Sequence, residues 1–366
     1  MSNEVLRDTR FGVVPGSVTS VTDWNVEPDD AEFLVHPVEH SLLMMDPPSH
    51  TRLRRLVSPW FTPRTLQGFR PEVERIVSAT LRELDERDGF DLVTEFAVPV
   101  VLRVICRLLD LPEARLDRFA RWGAILARSI GGIRSMTERR QVRATLAEMT
   151  LFFEEIVAAR RARPQGDLIS ELVQARPDGE ELMRRDLLGL VGLMLGAAFE
   201  TTVNSIGNGT LALAANPDVR RAFTADPALG PAVVEEILRY DPPVQYTGRR
   251  TLESLTLAGI ELPPGTIVVV LIGAANRDPL VFDNPQTFDI SRINNREHLA
   301  FSSGIHYCLA AGLARIEIEC ALSQLFARFP DLGVGAVTRL PKRNIRGPRT
   351  LQVTAGSRRG SAVAAN

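Results

Sequence analysis

From His50 onward, apolar residues recur every three or four positions along most of the chain, the spacing that gathers them on one face of a helix. Thr51–Phe61 reads as one helix and Pro71–Asp88 as the next, with Val73, Ile76, Val77 and Leu81 on a common face. Val98–Leu109, Leu116–Ile130 and Glu138–Arg160 continue the pattern, interrupted by Pro112, Gly131–Gly132 and Pro164. Arg184–Ala214 differs in kind. Its first half is apolar nearly all round, which predicts a helix in the middle of the protein. Pro231–Tyr240 is a further helix, stopped by Asp241-Pro242-Pro243, because a residue before proline is steered away from the helical region.

Period-two patterning is scarce and comes late. Leu255–Leu257 and Ile260–Leu262 flank Ala258-Gly259 as a hairpin, and Pro263-Pro264-Gly265 turns the chain into a strand over Ile267–Ile272. Gly312–Phe329 is again helical, and Leu351–Thr354 is a last short strand. The first fifty residues show little periodicity beyond a short helix around Glu4–Asp8 and a loop through Met44–Ser49. The expectation is therefore a mainly α protein with a small β portion. It forms a single domain over residues 1–356, followed by a frayed tail, 357–366.

Composition narrows the class. A 366-residue chain that is 45% hydrophobic and 24% charged can bury a large core, and its net charge of -2 argues against nucleic acid as a partner. The longest apolar run, Leu187–Phe199, falls short of the ~20 residues that span a bilayer, so no membrane span is expected. The N-terminus lacks the basic start and apolar stretch of a secretory signal. Three widely spaced cysteines, Cys106, Cys308 and Cys320, make no disulfide framework and fit a reducing cytoplasm.

Four groups of residues carry candidate chemistry. Cys308 follows Gly304 and His306 and stands just before a helix. A helix N-terminus favours a thiolate, and a thiolate there suits axial ligation of haem iron. The competing readings are a buried structural cysteine and a zinc site with His306, though no second ligand pair lies near. Glu200-Thr201-Thr202 interrupts the apolar helix, where polar groups cost free energy unless satisfied. Thr201 can bond back to the carbonyl of Ala197, opening a notch for oxygen and water in which Thr201 and Glu200 relay protons. The alternatives are a polar network that only joins helices, or a Glu200 at the helix surface. Glu236 and Arg239 are spaced to pair on one helix face, either as an internal tie or as an ordinary surface pair. His50 and Arg54, with Arg249 and His306, form a cation set able to clamp two carboxylates such as haem propionates, or are four unrelated surface cations. Cys106 and Cys320 read as core residues, and His36, His40 and His298 as surface or structural ones.

Taken together and in this order, these stretches resemble the cytochrome P-450 superfamily in its bacterial form, over nearly the whole chain. The family's haem-loop pattern F-G-x-G-x-H-x-C-x-G is met by Phe301, Ser302, Gly304, His306, Cys308 and Ala310. Its E-x-x-R is Glu236–Arg239, and its A-G-x-E-T is Ala197, Ala198, Glu200 and Thr201. Its D-P-P-x-H-x-x-x-R is Asp46, Pro47, Pro48, His50 and Arg54, and ANRDPLVFDNPQTFDISR resembles the approach to the haem loop. Ser302, Ala310 and Ala198 replace family glycines, from which a tighter loop or pocket is expected. EVLRDTRF resembles a stretch that usually follows a leading helix and two sheet strands. Those elements are absent here, so the expectation is a misassigned start or a shortened variant, with the strand near Ile267–Ile272 exposing an edge.

The resemblance implies the P-450 fold, with haem b between the long central helix and the cysteine loop. It implies Cys308 as the iron ligand, His50, Arg54, Arg249 and His306 at the propionates, and Phe301 and Gly304 in the loop beneath the ring. Ala198 and Thr201 would stand beside the oxygen site, with Thr201 and Glu200 catalytic. The implied activity is insertion of one oxygen atom from O2 into a small apolar organic substrate, free or tethered to a carrier protein. Electrons would come from NAD(P)H through ferredoxin and ferredoxin reductase. A truncated haem-binding protein without turnover, motivated by the short N-terminus and altered glycines, is the alternative. A peroxide-driven enzyme is a third reading, disfavoured by the Glu200-Thr201 pair.

Overall fold

The computed structural model describes residues 1–13, 41–130, 135–339 and 344–356. His36, His40, the Gly131–Gly132 break and the 357–366 tail lie outside the described residues. The chain opens with helix α1 (Ser2–Arg7) and strand β1 (Phe11–Gly12). Helix α2 (Ser49–Val57) ends in a 3-10 turn, Ser58–Phe61, rather than continuing as one helix, because Pro59 lacks the N–H that the next helical turn needs. Helix α3 runs Pro63–Arg82, starting earlier and ending sooner than the periodicity predicts. Thr62 caps it by accepting from Thr65 N, Pro63 suits its first turn, and it continues through Pro71, whose orphaned partner carbonyl belongs to exposed Gln67.

Strand β2 (Gly89–Asp91) leads through a π-helical turn, Leu92–Ala97, into α4 (Val98–Leu109), followed by α5 (Leu116–Ile130). Helix α6 (Met136–Ala162) starts where Ser135 caps Glu138, and α7 (Leu168–Gln174) where Asp167 caps Ser170. The long central helix α8 spans Arg184–Ala215 and packs against α4, α5, α6 and, further along the chain, α10 (Gly230–Tyr240) and α12 (Ala311–Arg328). It is the one helix among the described residues long and apolar enough to cross a membrane, and most of its apolar window is packed inside the protein. Its polar second half is buried as thoroughly as its apolar first. Asn208 there donates to the carbonyls of Asp241 and Arg346 at 3.0 and 3.2 Å.

Helix α9 (Pro217–Ala225) and a short α11 (Ile272–Ala275) complete the helices among the described residues. The latter takes the end of the strand expected over Ile267–Ile272, leaving β6 as Ile267–Val270. Among the described residues there are three small antiparallel sheets. One is ordered β1–β3–β6, with β3 at Thr247–Thr251. A second joins β2 to β8 (Pro348–Thr354) and β7 (Gly333–Arg339), and the third is the hairpin β4–β5 at Leu255–Leu257 and Ile260–Leu262. The fold is mainly α, as expected, but β1, β2 and β3 went unforeseen because each has a partner distant in sequence, and β7, which pairs with the nearby β8, went unforeseen as well.

Candidate active site

Cys308 sits in a loop closed on itself. Its amide donates to the carbonyl of Phe301 at 2.9 Å, and its carbonyl accepts from Ala311 N at 3.3 Å as α12 begins. Gly304 (φ +67°) opens a 3-10 turn, and a Cβ there would lie 2.4 Å from the carbonyl oxygen of Leu6 in α1, so only glycine fits both conformation and space. Ser302 also holds a left-handed backbone, φ +60°. Ser302 carries its cost in the backbone, whereas Ala310, at φ -93°, carries none. The loop is pinned from the side by Arg54 of α2, which donates to the carbonyls of Ile305 (3.0 Å) and Tyr307 (2.7 Å). Burial pushes the Cys308 thiol up, while the Ala310 amide and the Arg54 and Arg315 charges pull the other way.

The cations predicted from distant stretches converge. The His50 and His306 rings are 4.5 Å apart, and the Nε2 atoms of both are buried without a hydrogen-bond partner. Arg249 of β3 is 5% exposed; burial pushes its guanidinium down, and Asp46 offsets part of that. His306 is lowered to about 4, first by burial and then by repulsion from Arg249 and His50. Two orphaned ring nitrogens beside a desolvated guanidinium are a fitting donor set for anionic carboxylates, and with Cys308 they fit a haem and its propionates. Arg54 is half-buried; its nearest acceptors are the loop carbonyls, and its charge acts on His50, His306 and Cys308. Phe301 lies under the Arg315 guanidinium at 4.5 Å. Among the described residues no cluster of three or more His, Cys, Asp or Glu could hold a metal ion, so the zinc reading has no support there.

On α8, Thr201 Oγ1 donates to the carbonyl of Ala197 at 3.0 Å, the back-bond the sequence suggests. Leu193, Met194, Gly196, Ala197, Ala198, Glu200 and Thr201 are only partly buried, whereas Leu195, Phe199, Thr202 and Val203 between and beyond them are buried. The open positions fall on one side of a helix at the protein's centre, so that side borders interior space.

Behind the loop, Glu236 and Arg239 are fully buried and form a bidentate pair at 2.7 Å, which disposes of the surface-pair reading. Arg239 also donates to the carbonyls of Asn276, Pro285 and Thr287 at 2.9–3.0 Å, pinning the approach to the haem loop. Arg292 joins Glu236 at 3.3 Å. His298 is structural: its Nε2 lies 2.9 Å from Glu235, which also accepts from Arg315 at 2.6 Å. Sequence reasoning named Asp46 only as a motif residue and missed Glu235, Arg292 and Arg315 as parts of this framework; the partners of these three lie too far along the chain to leave a spacing. Cys106 and Cys320 are core residues, as expected.

The Cytochrome P450 family model matches residues 228–332, which include the Glu236–Arg239 pair and the cysteine loop. Cytochrome P450 107B1 of Saccharopolyspora erythraea is 41% identical over 296 residues, covering 81% of this chain and 71% of its own length. The 6-deoxyerythronolide B hydroxylase of the same organism is 40% identical over 293 residues, 79% of this chain and 70% of its own. Among solved structures, P450BioI in complex with hexadec-9Z-enoic acid ligated acyl carrier protein superposes with a TM-score of 0.89 at 31% identity, covering 96% of this chain and 89% of that one. Fold, motifs and relatives agree, and the chain belongs to the cytochrome P450 family, as a haem b-dependent monooxygenase.

Proposed function

We propose that Cys308 is the iron ligand, and that His50, His306 and Arg249 hold the haem propionates, with Arg54 supporting the loop and adding charge. The observation that carries this is the pair of buried, unpartnered Nε2 atoms on His50 and His306 beside desolvated Arg249. Bound haem supplies the iron at which O2 is activated, with sulfur donation favouring O–O cleavage. Thr201 Oγ1 gives its own proton to the Ala197 carbonyl, so its lone pairs are left to accept from water. Glu200, one residue before, passes protons to that position. The substrate is an apolar organic molecule accepting one oxygen atom, lying along Leu193, Met194, Ala197 and Ala198. One solved relative holds a fatty acid on its carrier protein, so free and carrier-bound substrates are both to be offered.

Electrons come from NAD(P)H through a ferredoxin and its reductase. A groove of about 860 Å³ reaches Cys308 and is lined by Arg54, Arg70, Arg296 and Arg315 against Glu235 and Glu319, a surface suited to an acidic carrier.

Reduction under carbon monoxide tests the ligand: a strongly red-shifted Soret band is expected, and its loss in Cys308→Ala. A protein that takes up haem but keeps that band in Cys308→Ala would sink the assignment. With a surrogate ferredoxin system, Thr201→Ala is expected to keep consuming NAD(P)H while product falls; unchanged coupling would remove Thr201 from the proton path.

A further inference from the structure

The propionate cradle contains a carboxylate that its task does not ask for. Asp46 Oδ1 lies 4.0 Å from His306 Nε2, and the Asp46 charge acts on both Arg249 and His50. Three elements meet at this side chain: the loop before α2, the cysteine loop, and the end of β1. Its Oδ1 accepts the Val13 amide at 3.0 Å, and the Val13 carbonyl in turn accepts from Arg250 Nε at 3.1 Å. A Cβ on Gly12 would stand 2.6 Å from Asp46 Oδ2, so β1 lies directly against the carboxylate. A negative group among cations that must receive two further negative groups lowers their affinity for those groups unless its charge serves something else.

We propose that Asp46 is a positioning residue that sets the charge balance of the cradle, holding the haem reduction potential down, and that it fastens β1 to the haem edge. The inference rests on the cradle reading given above. Adding an electron to haem places negative charge near the propionates, and a fixed carboxylate beside them opposes that step. Arg249 acts with the opposite sign. The two functions of Asp46 separate chemically: an asparagine keeps an oxygen that can accept from Val13 N–H and loses only the charge, whereas alanine loses both.

The test is spectroelectrochemical titration of the haem-loaded full chain, with haem transfer to apomyoglobin as a second readout. Asp46→Asn is expected to move the ferric–ferrous equilibrium about tenfold toward ferrous, 59 mV upward for a one-electron couple, with the carbon monoxide band of the wild type and haem transfer no faster than the wild type's. Asp46→Ala is expected to shift the potential likewise and also to release haem faster. Arg249→Gln is expected to move the potential downward and speed release. If Asp46→Asn keeps the wild-type potential while Arg249→Gln behaves as expected, the role given to Asp46 is wrong and the cradle stands. If Arg249→Gln changes neither readout, the cradle reading falls and this inference with it.

Discussion

Ser302 occupies a backbone conformation that glycine holds without a Cβ penalty, at φ +60°, and its hydroxyl is buried with no hydrogen-bond partner. A left-handed residue costs about 1–2 kcal/mol, part of which glycine returns through its own lost flexibility. Ser302→Gly is therefore expected to raise stability by about 1 kcal/mol, read as a higher Tm, with the carbon monoxide spectrum unchanged. Ala310→Gly, at an ordinary φ, is expected to give no such gain. In the sequence the two departures from the family pattern look alike, and only the backbone separates them. Arg239 was legible through its spacing to Glu236, but the three carbonyls it holds were not. Arg239→Met leaves Glu236 buried with only Arg292 and a backbone amide, and an expected loss of about 3–5 kcal/mol follows. A denaturant midpoint within error of the wild type would contradict that.

Helices α10 and α12 are joined by a titrating tie. Burial alone would push the Glu235 carboxyl upward, but hydrogen bonds from His298 and Arg315 and the Arg315 charge outweigh it and hold it at about 2. Because its folded value lies below its ordinary 4.5, the stability it contributes is complete above that ordinary range and is lost as pH falls through it toward about 2. Glu235→Gln is expected to be less stable at pH 7 and to show a shallower decline between pH 5 and 2 in denaturant melts; parallel curves would show that the tie carries no charge dependence. The elements themselves were unevenly legible. Helices α4 and α5 and the β4–β5 hairpin match their predicted bounds, since their signals are local. Strand β3, which carries Arg249, shows none. Its existence depends on β1 and β6, and its residues TGRRT have no alternating apolar pattern.

At the scale of the whole molecule, the β1–β3–β6 sheet ends in an edge with no partner among the described residues. Ile267, Val269 and Leu271 project from it at 62%, 53% and 55% exposure, with no charge or proline among residues 267–271. Uncharged β-branched edges pair readily with other chains. Val269→Lys is expected to suppress concentration-dependent light scattering while changing stability by no more than about 0.5 kcal/mol, the usual range for a surface substitution. Scattering equal to the wild type would show that another surface governs association.

The contact between Gly304 and the Leu6 carbonyl has a consequence for synthesis on the ribosome. Helix α1 leaves the exit tunnel long before the Gly304 turn is made, and it is too short to persist alone in water. The turn that covers it is among the last parts to be translated. Until Leu255, Val270, Ile272 and Leu299 of their apolar cluster are made, Val5 and Leu6, buried in the finished protein, remain open to solvent, chaperones and proteases. The cysteine loop thus cannot be braced by α1 during most of elongation. Ribosome-bound chains cut short before residue 304 should be nicked by protease at α1, whereas the released folded chain should resist there.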